Sequence, residues 1–95
     1  MIQLGGNIEL EGFDSAEPGK LVVIKKLVGS YARQMSDSGR EVGKLSVSSE
    51  ERDGGFHLRG TMVIDGKEIT GEKSGSNLFY TLDSMLRELT EASKG

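Results

Sequence analysis

The residues that could carry chemistry are few in this chain of 95 residues. His57 is the only histidine and there is no cysteine, so the chain lacks the ligands of a usual zinc site and any thiolate nucleophile. His57 falls on the polar face of a predicted strand, together with Ser46, Ser48 and Glu68. Serines beside charged residues are ordinary on the solvent side of an antiparallel sheet. We therefore interpret His57 as a structural or surface residue and predict a non-enzymatic protein without catalytic residues, metal or cofactor.

A glycine-containing segment at residues 66–74 comes close to a phosphate-binding P-loop. The loop requires a lysine directly after its second glycine, so that the ammonium and the backbone amides converge on the same phosphates. Here Glu72 separates Gly71 from Lys73 and brings a charge of the wrong sign. The segment is also predicted to lie in a hairpin rather than after a buried parallel strand. We interpret its glycines as residues of a strand end and a turn.

Charge is distributed unevenly along the chain. The net charge is −3, which argues against nucleic acid as a partner of the whole surface. Residues 1–17 sum to −4, residues 18–44 to +4 and residues 45–95 to −3. The basic block is either an ordinary solvated helix face or a patch that follows phosphates. Its candidate RNA-binding residues are Lys20, Lys25, Lys26 and Arg33, with Arg40, Lys44 and Arg59 as secondary candidates.

Two amphipathic helices are predicted. From Ser15 to about Met35, apolar residues recur every three or four positions, at Leu21, Ile24, Val28, Tyr31 and Met35. Ser15 is the predicted cap, and Pro18 lies in the first turn, where its missing N–H costs nothing. A second helix is predicted from a cap at Ser76 or Asn77 to about Ser93, with Phe79, Leu82, Leu86 and Leu89 on one stripe.

Between the helices the hydrophobic period changes to two, which predicts three strands. Asp53-Gly54-Gly55 separates the first two strands. Asp65-Gly66 is a strong signal for a two-residue hairpin, which would pair Ile64 with Lys67 and Met62 with Ile69. A further strand is predicted at residues 8–11; residues 2–4 either extend it through a bulge or add a short edge strand.

These elements predict one α+β domain spanning residues 1–95, in the order β-α-β-β-β-α. Two helices would cover one face of a four-stranded sheet in a two-layer sandwich. The predicted inner layer of the sheet is Ile8, Leu10, Leu45, Val47, Phe56, Leu58, Met62, Ile64 and Ile69. The facing helix residues are Leu21, Ile24, Val28, Tyr31, Phe79, Leu82, Leu86 and Leu89.

The C-terminal half carries a recognisable pattern. Residues 60–73, GTMVIDGKEITGEK, are predicted to form a strand, a glycine turn and a strand. Residues 76–83, SNLFYTLD, contain a polar residue, then an aromatic pair, then an apolar residue followed by aspartate. With Leu86, Leu89 and the strand around residues 8–12, this pattern resembles the ribosome hibernation factor family over most of residues 7–92. The family includes the short hibernation-promoting factor and the stress-associated ribosomal inhibitor.

The resemblance implies a monomeric domain that lodges in the small ribosomal subunit, in the channel used by messenger and transfer RNA, and blocks translation under stress. It also implies that basic residues on both helices hold ribosomal RNA. This chain departs from the family on the last helix, where Glu88 and Glu91 stand at positions that tend to be basic and leave Arg87 and Lys94 as the cations.

Two functional hypotheses follow. The first is a ribosome- or RNA-associated binding domain whose partner is the small ribosomal subunit or a structured RNA. The alternative is a protein-interaction or self-associating module that uses the exposed sheet face or the edge near Ile2 and Leu4. No apolar stretch approaches the roughly 20 residues of a membrane span, and the N-terminus has no signal-sequence pattern, so we expect a soluble, cytoplasmic protein.

Overall fold

The sheet and helices follow one another in the order β1, β2, α1, β3, β4, β5, α2. A computed structural model describes residues 2–4, 7–13, 17–39 and 41–94. The strands are β1 (Ile2–Leu4), β2 (Ile8–Glu11), β3 (Val42–Arg52), β4 (Gly55–Ile64) and β5 (Lys67–Gly75). The helices are α1 (Pro18–Asp37) and α2 (Leu78–Lys94). The α+β class is as predicted.

The sheet has five strands in the order β1-β2-β3-β4-β5, so the predicted count of four is wrong. The additional strand is β1, which confirms the alternative of a short edge strand at residues 2–4. It runs antiparallel to β2 with Ile2 opposite Leu10 and Leu4 opposite Ile8. This register places Ile2 against the core. Its partial burial there stabilises β1 as a strand distinct from β2. The strands β2 and β3 are parallel, which the crossover through α1 makes possible.

The predicted β4–β5 hairpin is confirmed together with its register. Ile64 pairs with Lys67 and Met62 with Ile69. Asp65 and Gly66 both have positive φ, 50° and 79°, as a type I′ turn requires. The β3–β4 turn has the same geometry at Asp53-Gly54, with φ of 50° and 78°. Two similar tight turns therefore set the register of the three long strands.

Both helices begin close to their predicted positions. Pro18 is the first residue of α1, and the capping position is Glu17, whose side chain makes no capping hydrogen bond. Ser15, the predicted cap, lies outside the described residues. At α2, the Asn77 side-chain oxygen accepts a hydrogen bond from the backbone N–H of Tyr80 at 2.9 Å, which confirms Asn77 as the cap.

One face of the sheet and both helices contribute to a single hydrophobic core. Phe13 and Met85 belong to it although neither was predicted. Phe13 lies two residues beyond the end of β2, outside the strand alternation, and Met85 lies beside the predicted stripe of α2. Phe56, predicted as core, is only half-buried. The buried members are Ile8, Leu10, Phe13, Ile24, Val28, Met35, Leu45, Val47, Leu58, Met62, Ile64, Leu82, Met85, Leu86 and Leu89.

The chain leaves β2 through a contact that only glycine permits. Gly12 has φ of 82°, and a Cβ atom there would lie 2.1 Å from the carbonyl oxygen of Ser49 in β3. Gly54 has a nearly identical φ of 78°, but a Cβ atom there would meet nothing within 4 Å. A side chain at Gly12 would therefore incur both the strain of a left-handed backbone and a steric clash. A side chain at Gly54 would incur only the backbone strain.

Replacing Gly12 with alanine is expected to lower the free energy of unfolding by about 3 kcal/mol or more, because β2 and β3 must move apart in addition to the left-handed backbone cost. Gly54→Ala is the matched control and should cost only about 1–2 kcal/mol. Urea unfolding of both variants measures the difference. Equal losses would show that the contact with Ser49 does not constrain the fold.

Candidate nucleic-acid interface

The primary candidate cations lie on α1, but they do not form a single stripe. Lys26 and Arg33 are seven residues apart, so they share the outer face of the helix at a separation of about 10 Å along its axis. At about 100° per residue, Lys25 lies about 100° to one side of Lys26 and Lys20 about 120° to the other. Lys25 is half-buried, whereas Lys20 and Lys26 are exposed. Together the four cations surround the solvent side of α1.

The lysines of α1 have no intramolecular counter-ion in the described part of the chain. Lys20, Lys25 and Lys26 make no ion pair there. Arg33 has one carboxylate partner, Asp37, at 3.8 Å, and both side chains are largely exposed. An exposed pair one helical turn apart contributes only about 0.3–0.5 kcal/mol, so it restrains Arg33 weakly. Within the described residues, no ion-paired carboxylate therefore competes with an external anion for the three lysines, and only Asp37 competes for Arg33.

The secondary candidates have a different environment. Lys44 and Arg59 project from the sheet face opposite the core, because their neighbours Leu45 and Leu58 point inward. Each has a carboxylate partner across the strands: Lys44 lies 3.6 Å from Glu9 and Arg59 lies 3.6 Å from Glu72. Arg40 is outside the described residues. The structure thus separates the described secondary candidates from the cations of α1 and gives each an acidic neighbour.

His57 lies on this open sheet face in a small hydrogen-bonded cluster. Its Nδ1 lies 2.7 Å from the Ser74 hydroxyl and its Nε2 2.5 Å from the carboxylate of Glu72. The hydrogen bond with His57, and secondly the charge of Arg59, lower the pKa of Glu72. Neither Ser74 nor Glu72 was among the residues predicted near His57.

A signal for this cluster was present in the sequence. The register set by the Asp65-Gly66 turn continues without a shift along the whole of β4 and β5, as far as Phe56 opposite Gly75. Extending the predicted pairs outward from the turn would have placed Ser74 opposite His57. The extension was missed because residues 71–75 contain two glycines and no alternation of apolar residues.

A polar contact fixes α1 against α2. The Tyr31 hydroxyl on α1 donates a hydrogen bond of 2.7 Å to one oxygen of Asp83 on α2, and Arg87 donates to the other oxygen at 2.9 Å. Burial, and then the hydrogen bond to Asp83, raise the pKa of Tyr31. The hydroxyl therefore stays protonated at neutral pH and continues to donate. Asp83 in this way holds the two helices and Arg87 in one arrangement.

Among the described residues, no group of three or more metal-ligating side chains could hold a metal ion. Neither α1 nor α2 has the length and apolarity needed to cross a membrane. An open cavity of about 490 Å³ lies where β2 ends and α2 begins; Phe13, Phe56 and Leu78 line it together with Lys20, Glu17 and Glu51.

Comparison with solved structures identifies the fold. The N-terminal domain of Protein Y from Thermus thermophilus superposes with a TM-score of 0.72 at 15% identity, covering 94% of this chain and 97% of that one. The chain shares this fold. A ribosomal subunit interface protein from Coxiella burnetii superposes with a TM-score of 0.69 at 11% identity, covering 95% of this chain and 100% of that one.

These matches confirm, at the level of the fold, the resemblance drawn from residues 60–83. Identities of 15% and 11% show a common architecture rather than common contact residues. No protein-family model matches the sequence, and no curated protein matches it.

Replacing Tyr31 with phenylalanine is expected to lower the free energy of unfolding at pH 7 by about 1 kcal/mol, because Asp83 loses a donor. A group whose pKa is raised by folding stabilises the protein below its unfolded pKa, here 10.0, and that contribution is lost as the pH rises through the folded value. The wild-type advantage over Tyr31→Phe should therefore be full at pH 8 and decline above pH 10. Chemical denaturation of both proteins at pH 7 to 11 measures it; a difference that does not change with pH would contradict this role.

Proposed function

We propose that the chain is a non-enzymatic, cytoplasmic binding domain that associates with the ribosome, through the small subunit, or with a structured RNA. Lys20, Lys25, Lys26 and Arg33 on α1 are the primary phosphate contacts. Arg40, Lys44 and Arg59 are secondary contacts. The proposal treats residues 1–95 as one domain and its layout as the predicted two-layer sandwich, which is supported by the single core that both helices share with one sheet face.

The observation that carries this proposal is the uncompensated positive charge of α1. Its three lysines have no carboxylate partner among the described residues, whereas Lys44 and Arg59 on the sheet face do. Phosphate contacts supply most of the affinity of a protein for nucleic acid, and each contact releases a counter-ion. A net charge of −3 weakens long-range attraction, but it does not prevent binding through one basic face.

The fold supports the same proposal. One of the superposed structures is called a ribosomal subunit interface protein, and it matches 95% of this chain. The helix α2 contributes fewer positive charges than α1. On α2, Glu88 is 3.0 Å from Lys73 of β5, so that acidic side chain is neutralised within the molecule. An RNA-binding face centred on α1 and reaching Arg87 of α2 is consistent with these placements.

A second candidate function, self-association, is favoured by the sheet edges. The β1 edge consists of three uncharged residues, Ile2–Leu4, whereas the β5 edge carries Lys67, Glu68, Glu72 and Lys73. Charged residues on an edge strand discourage pairing with another chain, and β1 lacks that protection. Sedimentation equilibrium tests it: a mass that rises with concentration and returns to the monomer in Gln3→Lys supports edge pairing, whereas a constant monomer mass contradicts it.

Co-sedimentation with small ribosomal subunits over a series of salt concentrations tests the RNA-binding proposal. Lys26→Gln should weaken binding at every salt concentration and lower the salt slope by about 0.7–0.9, the value for one phosphate contact. Lys67→Gln, at the exposed hairpin between β4 and β5, changes the net charge equally and should have little effect.

The two variants separate local contact from overall charge. Equal weakening by Lys26→Gln and Lys67→Gln would contradict a binding face on α1. Absence of the wild-type protein from the subunit fraction at low salt, together with no binding to structured RNA, would contradict the proposed function itself.

A further inference from the structure

Tyr80 exposes an aromatic ring that the fold does not use. Its side chain is 74% exposed, more than Val22 at 52% or Val23 at 48%. The neighbouring Phe79 packs against the core, so the ring of Tyr80 is not required for that packing. The backbone of Tyr80 is nevertheless well fixed, because its N–H donates to the Asn77 cap at 2.9 Å. The result is an exposed ring on a rigid first helical turn.

Arg87 lies on the same side of α2 as Tyr80. The two residues are seven positions apart, which places them on one stripe about two helical turns, or about 10 Å, from one another. Asp83 holds the guanidinium at 2.9 Å and itself accepts the Tyr31 hydroxyl. A hydrogen bond with Tyr31, and then the charge of Asp83, raise the pKa of Arg87, with a smaller contribution from Tyr80. A largely exposed cation is thus held in place near an exposed ring.

We propose that Tyr80 and Arg87 form a binding site for one unstacked nucleotide of single-stranded RNA. The base stacks on the ring of Tyr80, and an adjacent phosphate pairs with the guanidinium of Arg87. The inference rests on the proposed RNA-binding function and deepens it. It adds to the phosphate contacts of α1 a site that requires a flipped-out or single-stranded base, which a duplex cannot offer.

The exposed ring of Tyr80 and the cation of Arg87 on the same stripe favour a nucleotide as the occupant. Base–aromatic stacking tolerates any base, because every base has a π-face, and an adjacent arginine adds attraction for the phosphate. Asp83 is occupied by Tyr31 and Arg87, so it does not present a free carboxylate that would repel a phosphate.

Two RNA probes and three variants test the site. The probes are fluorescently labelled deca-uridine, which is single-stranded, and a labelled blunt-ended RNA duplex of ten base pairs; anisotropy at several salt concentrations gives the affinities. Tyr80→Leu should weaken deca-uridine binding about 5- to 150-fold without changing the salt slope, since stacking is not ionic. Tyr80→Phe keeps the ring and should bind like wild type. Arg87→Gln should lower the salt slope by about 0.7.

The duplex probe distinguishes the nucleotide site from the phosphate contacts of α1. Duplex binding should be equal in wild type and Tyr80→Leu, because it uses only phosphate contacts. If the duplex binds but Tyr80→Leu leaves deca-uridine affinity unchanged, the nucleotide site is wrong while the proposed function stands. If Tyr80→Leu instead abolishes capture of a protein partner and changes no RNA affinity, the surface is a protein interface. If neither RNA binds at low salt, the nucleotide site is wrong, and co-sedimentation with small ribosomal subunits decides the proposed function separately. Thermal unfolding confirms that each variant is folded.

Discussion

The close approach of α2 to the sheet is the constraint on which the rest of the structure depends. Gly60 in β4 and Gly71 in β5 are direct cross-strand partners, and both are buried. A Cβ atom at Gly60 would lie 2.9 Å from both Leu89 and Met85, and one at Gly71 would lie 3.2 Å from Leu89. The two glycines therefore form a shallow depression into which α2 packs. Glycine is unfavourable within a strand by about 0.5–1 kcal/mol, and here the packing of Met85 and Leu89 offsets that cost.

The position of α2 in turn determines which surfaces remain available for binding. With its apolar stripe over β4 and β5, α2 presents Asp83 to α1, and the hydrogen bond from Tyr31 fixes the two helices side by side. The cations of α1 are then left on the solvent side. The carboxylates of Glu9 and Glu72 lie on the opposite sheet face, where they pair with the cations of the sheet. A chain with a net charge of −3 thereby keeps the cations of α1 apart from most of its sheet-face carboxylates.

Periodicity predicted the helices well because each must bury one stripe, and the hairpin because Asp65-Gly66 meets a strict backbone requirement. Features that depend on tertiary contacts were harder to predict from the sequence. The edge strand β1 is defined by its pairing with β2, and the burial of Phe13 follows from the tight passage at Gly12. For the site, the residue types were predictable, but their grouping was not. Only the structure shows that Lys44 and Arg59 have acidic partners while, among the described residues, the lysines of α1 have none.

The central claim is that RNA meets this protein on the side of α1. Lysine labelling with an amine-reactive reagent, with and without small ribosomal subunits at low salt and read by mass spectrometry, tests this most directly. We expect the subunit to protect Lys20, Lys25 and Lys26 strongly and to leave Lys67 at the far hairpin labelled as in the free protein. Protection confined to Lys44 and Lys67, with the α1 lysines still reactive, would contradict it.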